Sequence, residues 1–417
     1  MYPTLVNDSL SSRSNEAPDS HADWRVAVPQ NVRGFGPSAV SLGDVSTTAL
    51  RLSYATRRVP PDHFASLLPV PERPQAGDIV MARLEKIGKN GRLELASGRN
   101  CVLHEGDVLA VVFGNRYATN QFEGYAAANG DSCDLMSMGG LCGLVASKHG
   151  AVAEPSRLKL LGLFANADGQ PLHLGAYGIG GATYQRPLIP TALPPVTVVC
   201  GTSMDAGKTF TVTSLLRGMN RGNRRVASIK LTGTASGRDT WAMRDAGASP
   251  ALDFIDGGFA STYMCGTQDL VTLFQRLASY AAEEGAQSIV LEIADGLLQR
   301  ETAALLRDFA FTSAINSWVL AASDSMGAVA GVQLLRSAGL EPSFVSGVLT
   351  QSPLGMRETL NATGVRCMDA LELRTGGANA ILSSSSTAAG AANSSSAGAP
   401  SQPVPVRPEA LLSAEAP

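Results

Sequence analysis

Residues 196–209 read VTVVCGTSMDAGKT, an apolar run that ends in glycine, passes through five mostly small residues and closes on Gly-Lys-Thr. Apolar, β-branched residues at 196–200 predict a buried strand, and KTFTVTSLLRGMNR at 208–221 predicts a helix that starts at the lysine. A strand, a small-residue loop and a helix in that order make a phosphate cradle. Gly201, Gly207, Lys208 and Thr209 take the defining places of the G-x-x-x-x-G-K-[ST] type, with five residues rather than four between the glycines. Small residues let backbone N–H groups converge on phosphate oxygens, and the helix N-terminus adds its positive end. Lys208 would then reach the β and γ phosphates, with the Thr209 hydroxyl on Mg²⁺. The plain alternative is a glycine-rich turn that binds nothing.

Outward from the loop, strands and helices alternate. RVASIK (225–230), SIVLEI (288–293), INSWVLAAS (315–323) and PSFVSGVLTQ (342–351) predict strands. Residues 267–285, 301–311 and 327–339 predict the intervening helices. This βαβ alternation predicts an α/β domain at 195–373, a mostly parallel, doubly wound P-loop sheet with helices on both faces. Ligands of such sheets bind at the C-terminal strand edge. There the second strand delivers Lys230 into LTGTASGRD, and the third delivers Glu292 followed by Asp295 and Gly296. A carboxylate facing a phosphate loop is where Mg²⁺ or its water shell needs a negative ligand. For Lys230, a solvated strand end is the plain alternative.

The loop GTSMDAGKT resembles that of dethiobiotin synthetase and of the ATP-binding domain of cobyric acid synthase, over about residues 196–370. The resemblance implies ATP and Mg²⁺ as cofactors. It places nucleotide contacts along Gly201, Thr202, Ser203, Met204, Asp205, Ala206, Gly207, Lys208 and Thr209, with Phe210 behind them. KLTGTASG is similar to the family's lysine segment, which holds the substrate's carbamate, with Leu231 in place of proline. EIADG corresponds to the family's E-G-A-G-G and makes Glu292 a metal ligand, although Ile293 and Asp295 replace glycines. A further metal-binding aspartate is expected at Asp239, with Asp245 in reserve. Thr350 and Gln351 occupy the base-contact segment, where the family has asparagine. Catalytic roles fall on Lys208, Asp205, Lys230 and Glu292, and metal binding on Thr209, Asp239 and Glu292. The resemblance also implies a homodimer with the substrate site at its interface.

Residues 28–180 show short apolar runs between turn residues, such as DIVMARLEKI, GKNG and VLAVVFGN. They predict an all-β barrel-like or sandwich module. A proline-rich connector (181–194) follows. Residues 1–27 are expected to be flexible, and 374–417, rich in Gly, Ala, Ser and Pro, to be a disordered tail. A net charge of −3 with scattered Lys and Arg excludes an electrostatic footprint for nucleic acid or an anionic membrane. No apolar run approaches the ~20 residues of a spanning helix. The N-terminus lacks a basic stretch leading into an apolar one, so a cytoplasmic protein is expected. Six cysteines without a C-x-x-C pair fit reduced thiols.

Three functional readings remain open. In the first, an ATP- and Mg²⁺-dependent enzyme passes the γ-phosphoryl group to a carboxylate-like group of a small metabolite, for ligation or ring closure. In the second, the P-loop domain is a nucleotide-dependent switch or chaperone-like NTPase whose β module binds a partner. In the third, the β module holds the active site itself, in FGNRYATNQFEG with Arg116, Tyr117 and Glu123.

Overall fold

The computed structural model describes residues 40–41, 50–184 and 192–382. The segment 1–27, half of the connector (185–191) and residues 383–417 lie outside them.

The first part of the chain forms β1 (Val40–Ser41), β2 (Arg51–Leu52), β3 (Ser66–Leu68), β4 (Ile79–Lys86), β5 (Arg92–Glu94), β6 (Asn100–Val102), β7 (Val108–Phe113), β8 (Phe122–Tyr125), β9 (Ser132–Leu135), β10 (Leu141–Lys148) and β11 (Ser156–Ala165). Antiparallel pairing links β7 to β4, β4 to β11, β11 to β9 and β9 to β10. A short parallel contact, Leu141 with Val112 and Cys142 with Phe113, then brings β10 back to β7, so the pairings run in a circuit.

Side chains on a strand alternate between faces. In β7, Leu109, Val111 and Phe113 join an inner cluster with Val80, Leu84, Cys133 and Leu158. Val108, Ala110 and Val112 point the other way, into a cluster that continues into the second part of the chain. Both faces are covered, which is why VLAVVF reads as one unbroken apolar run.

The second part contains β12 (Val196–Gly201), α1 (Lys208–Met219), β13 (Val226–Lys230), α2 (Arg238–Asp245), β14 (Ala251–Asp253), α3 (Thr267–Glu283), β15 (Ser288–Glu292), α4 (Arg300–Leu305), α5 (Phe309–Thr312), β16 (Ser317–Ala321), α6 (Ser325–Ser337), β17 (Pro342–Ser346), α7 (Pro353–Thr363) and α8 (Ala370–Arg374). Its six strands lie in the order β14-β13-β15-β12-β16-β17, and every pairing is parallel. One face packs α1 residues such as Val212, Leu215 and Leu216 on Val199, Val290 and Val319. The other packs α3 residues such as Leu270, Phe274 and Leu277 on Ile229 and Leu291, and runs on into the β module.

Three details differ from expectation. The helix expected over 301–311 is two short ones, because Asp308 caps a new start by accepting from the Phe311 N–H. The last strand stops at Ser346, and Val348–Gln351 form a tight 3₁₀ turn. Residues 374–382, expected as tail, pack on the sheet's α1 side, where Ala378 and Leu382 are buried. All six cysteines are unpaired. No helix among the described residues is long and apolar enough to cross a membrane.

Candidate functional site

The strand order puts β15 between β12 and β13, and register carries the chemistry to one edge. Glu292 pairs with Val199 on one side and with Lys230 on the other, and Lys230 pairs with Asp253 beyond it. Two groups separated by 62 positions in sequence thus emerge side by side beside the phosphate loop.

The loop's glycines are required by geometry. Gly207 caps α1 with φ +90°, a left-handed conformation that other residues adopt at a cost. A Cβ there would lie 3.0 Å from the Val348 nitrogen and 3.1 Å from the Gly347 Cα. At Gly201 a Cβ would meet the Lys208 side chain at 2.8 Å. Lys208 is 4% exposed and folds back on its own loop, donating to the Ser203 carbonyl at 2.6 Å and the Met204 carbonyl at 3.3 Å. Burial pushes its pKa down, against the pull of Glu292 and Asp295.

Around the lysine lies a compact charge cluster. The Thr209 hydroxyl donates to Glu292 Oε1 at 3.3 Å. Lys230 is ion-paired to Asp239 and lies 3.9 Å from Glu292 Oε1. Burial alone would lower the Lys230 pKa, but the Asp239 and Glu292 carboxylates outweigh it and hold the ammonium above its ordinary value. Burial would raise Asp239, and Lys230 pulls it below the ordinary range instead. Glu292 is raised, first by burial, and its Oε2 is buried with no hydrogen-bond partner among the described residues. Asp295 is raised by burial too, and interacts electrostatically with Lys208, Lys230, Arg116 and Asp205.

Lys208, Thr209, Lys230, Asp239 and Glu292 are therefore brought together. Asp245, the reserve metal ligand, is not: it ends α2 at the surface, where its carbonyl accepts from Arg217. The turn carrying Thr350 and Gln351 abuts the loop, since the Val348 N–H donates to the Ala206 carbonyl at 3.1 Å. The Thr350 hydroxyl, however, is bonded to the Gly347 carbonyl. Phe210 is half exposed on α1, with the Arg374 guanidinium 4.9 Å from its ring centre. Thr202 is held by the Ala321 carbonyl, and the Ser203 hydroxyl lies 3.3 Å from that of Ser323. Asp205 is exposed, and Asn120 of the β module donates to it at 2.7 Å.

Sequence reasoning did not anticipate how firmly the β module holds this edge. Arg57 bonds Asp253 at 2.8 Å and Asp256 at 2.7 Å, Tyr54 donates to Asp253 at 2.6 Å, and Arg58 reaches Asp256. In the loop after β14, Tyr263 is packed by Tyr117 and Tyr125 of the β module. The adjacent arginines in YATRRV were the available signal, but nothing local names partners almost 200 positions away.

No family model matches the chain, and no curated protein matches it. Solved structures that resemble part of it include the signal recognition particle 54 kDa protein of Aeropyrum pernix K1 in complex with GDP, with 18% identity and a TM-score of 0.31, over 52% of this chain and 53% of that one. The signal recognition particle receptor FtsY of Elizabethkingia anophelis gives 14% and 0.31, over 48% and 68%. The cell division protein FtsY of Thermotoga maritima gives 12% and 0.31, over 46% and 72%. The chain thus spans about half the length of the first of these. Likeness at that score carries no argument, and a nucleotide reading rests on the loop's own geometry.

Proposed function

We propose that the chain binds a nucleoside triphosphate at residues 201–209 and hydrolyses its terminal phosphate, with the β module responding to the state of the nucleotide. The observation that carries this is the loop's own geometry, which opens α1 on Lys208 and Thr209 beside Glu292, and the Asn120–Asp205 hydrogen bond ties the β module to that loop. In the reaction, a water oxygen forms the new bond to the γ phosphorus, and the bond from that phosphorus to the bridging oxygen breaks. The diphosphate leaves, and the water's proton passes to the phosphate product or solvent.

The residues fit such a ligand. Lys208 sits on loop carbonyls that a phosphate would displace, and the first turn of α1 presents unpaired N–H groups and its positive end. The unpartnered Glu292 oxygen beside the Thr209 hydroxyl suits a divalent cation. No group of three or more His, Cys, Asp or Glu among the described residues could hold a metal alone, so phosphates and water would complete its shell. When bound by Thr209 and Glu292, Mg²⁺ would neutralise charge on the phosphates. For Asp239 to join it, the ion pair with Lys230 would have to open.

A second reading, phosphoryl transfer to a carboxylate-like group of a small metabolite, is favoured by one observation. Lys230 is held at the same edge, in register with Glu292, by groups an anionic substrate could replace. Phosphate release from ATP and from GTP, each with Mg²⁺, separates the readings. Hydrolysis without added acceptor, with a change in hydrogen exchange over residues 115–125 between diphosphate and triphosphate-analogue states, supports the first. Diphosphate released only when a carboxylate-bearing metabolite is supplied would replace it with the second.

A further inference from the structure

Between β7 and β8 the β module extends a short segment over the phosphate edge, and three anchors fix it. Arg116 and Gly124 exchange both backbone hydrogen bonds, at 2.8 and 3.0 Å. Asn115 accepts from the Ala126 N–H and donates to the Tyr263 carbonyl at 3.4 Å. Asn120 donates to Asp205 in the phosphate loop. The segment therefore bridges from the loop after β14 to the loop after β12, with Arg116 inside the span.

The Arg116 side chain is anomalous. Its Nε and Nη1 are buried with no hydrogen-bond partner among the described residues. Its guanidinium carbon lies 5.6 Å from the centre of the Phe122 ring, which limits where the group can turn. Burial pushes its pKa down to about 10, and the charge that opposes this is Asp295. Asp295 interacts in turn with Lys208, Lys230 and Asp205, so Arg116 belongs to the same electrostatic neighbourhood as the phosphate-loop lysine. A buried polar group without a partner calls for an explanation. A planar guanidinium with free N–H groups matches two oxygens of a phosphate or carboxylate. Docking of its segment on Asp205 favours the phosphate, because that residue belongs to the loop in which the nucleotide chain would lie.

We infer that Arg116 is a phosphate-binding residue supplied in cis by the β module, its free N–H groups receiving the terminal phosphate of a bound nucleoside triphosphate. This rests on the nucleotide reading above and deepens it. Because Asn115 and Asn120 fix the segment, contact with the last phosphate is a contact between the modules, present with a triphosphate and absent with a diphosphate. The β module thereby senses which nucleotide is bound.

The test uses the full chain with Mg²⁺, the adenine and guanine diphosphates, and non-hydrolysable triphosphate analogues, followed by calorimetry. Arg116→Ala should bind the diphosphate within about twofold of wild type, which also reports an intact fold, and bind the triphosphate analogue at least ~10-fold more weakly. Turnover should fall by roughly 10³-fold, the lower end for an arginine that meets transferring phosphoryl charge. Arg116→Lys should recover only part of the triphosphate affinity, since it restores charge without the planar fork. Unchanged triphosphate binding and turnover in Arg116→Ala would overturn the inference, as would equal loss for diphosphate and triphosphate, which marks a structural role. An effect seen only on an added carboxylate acceptor would also overturn it, by assigning Arg116 to the acceptor's anion. Failure of the wild-type chain to bind either nucleotide would instead remove the underlying reading, and the inference with it.

Discussion

The Lys208 ammonium rests on two carbonyls of its own loop, and Gly201 leaves the room in which its stem folds. The two loop glycines should therefore fail differently when replaced. In Gly201→Ala the new methyl meets the flexible Lys208 side chain, so the lysine moves and the fold stays. Nucleotide affinity is expected to drop at least ~10-fold with a melting temperature close to wild type, because a phosphate contact of about 1.4 kcal/mol is worth that factor. In Gly207→Ala the methyl meets backbone, and φ is +90°. Stability should fall by about 1–3 kcal/mol in a denaturant titration, as a residue forced into that region requires. Equal thermal losses in both variants would contradict this division. The lysine, threonine and glycines were legible in sequence because the motif is local. Its spacing, one residue longer than the general pattern, still delivers Lys208 to the first position of α1.

At the scale of elements, the decisive contact is between β14 and the turn that carries Arg57. Burial would raise the Asp253 carboxyl, but Arg57 and Tyr54 hold it below the ordinary value. A carboxylate depressed in the folded state contributes stability that is complete above its ordinary pKa and is lost as pH falls through the depressed one. Asp256 has the opposite sign. Burial, then Asp253 beside it, raises its pKa, so its contribution is present at low pH and lost as pH rises through the raised value. Wild-type melting temperature should thus decline below about pH 4, where the Asp253 contribution goes. Asp253→Asn should lack that part of the decline and start from a lower value at neutral pH. Arg57→Met, which leaves the buried Asp253 without its cation and Asp256 with Arg58 alone, should cost about 3 kcal/mol in urea unfolding at pH 7. A loss under ~0.5 kcal/mol would mean that the pair is solvated in solution. This junction was not legible in sequence. β14 is three residues long, and although ALDFIDGG reads as an extra strand and turn, nothing in it names what Asp253 and Asp256 bind. The strands β12, β13, β15 and β16 were legible, since their apolar runs are buried at every position between covered faces.

For the molecule as a whole, one apolar cluster joins the two parts. Tyr54, Ile79 and Met81 of the β module share it with Phe254, Leu270 and Phe274 of the α/β part. Heat should therefore unfold the chain in a single transition, and bound nucleotide should shift all of it by mass action. A chain beginning at residue 192 would expose that face, and should melt well below the full chain and bind a hydrophobic dye. Two separated transitions in the full chain would count against a shared core. The sequence predicted strands for the first part from its turns. It could not tell that their outer face was covered, because alternation shows which side chains share a face and not what lies against them. The most direct test of the account is calorimetric titration of ATP and GTP, each with Mg²⁺, into the wild-type chain and Lys208→Ala. At least one nucleotide should bind the wild type, and the variant should lose that binding by at least ~100-fold with its melting temperature unchanged. No binding to wild type, or equal binding to both, would contradict it.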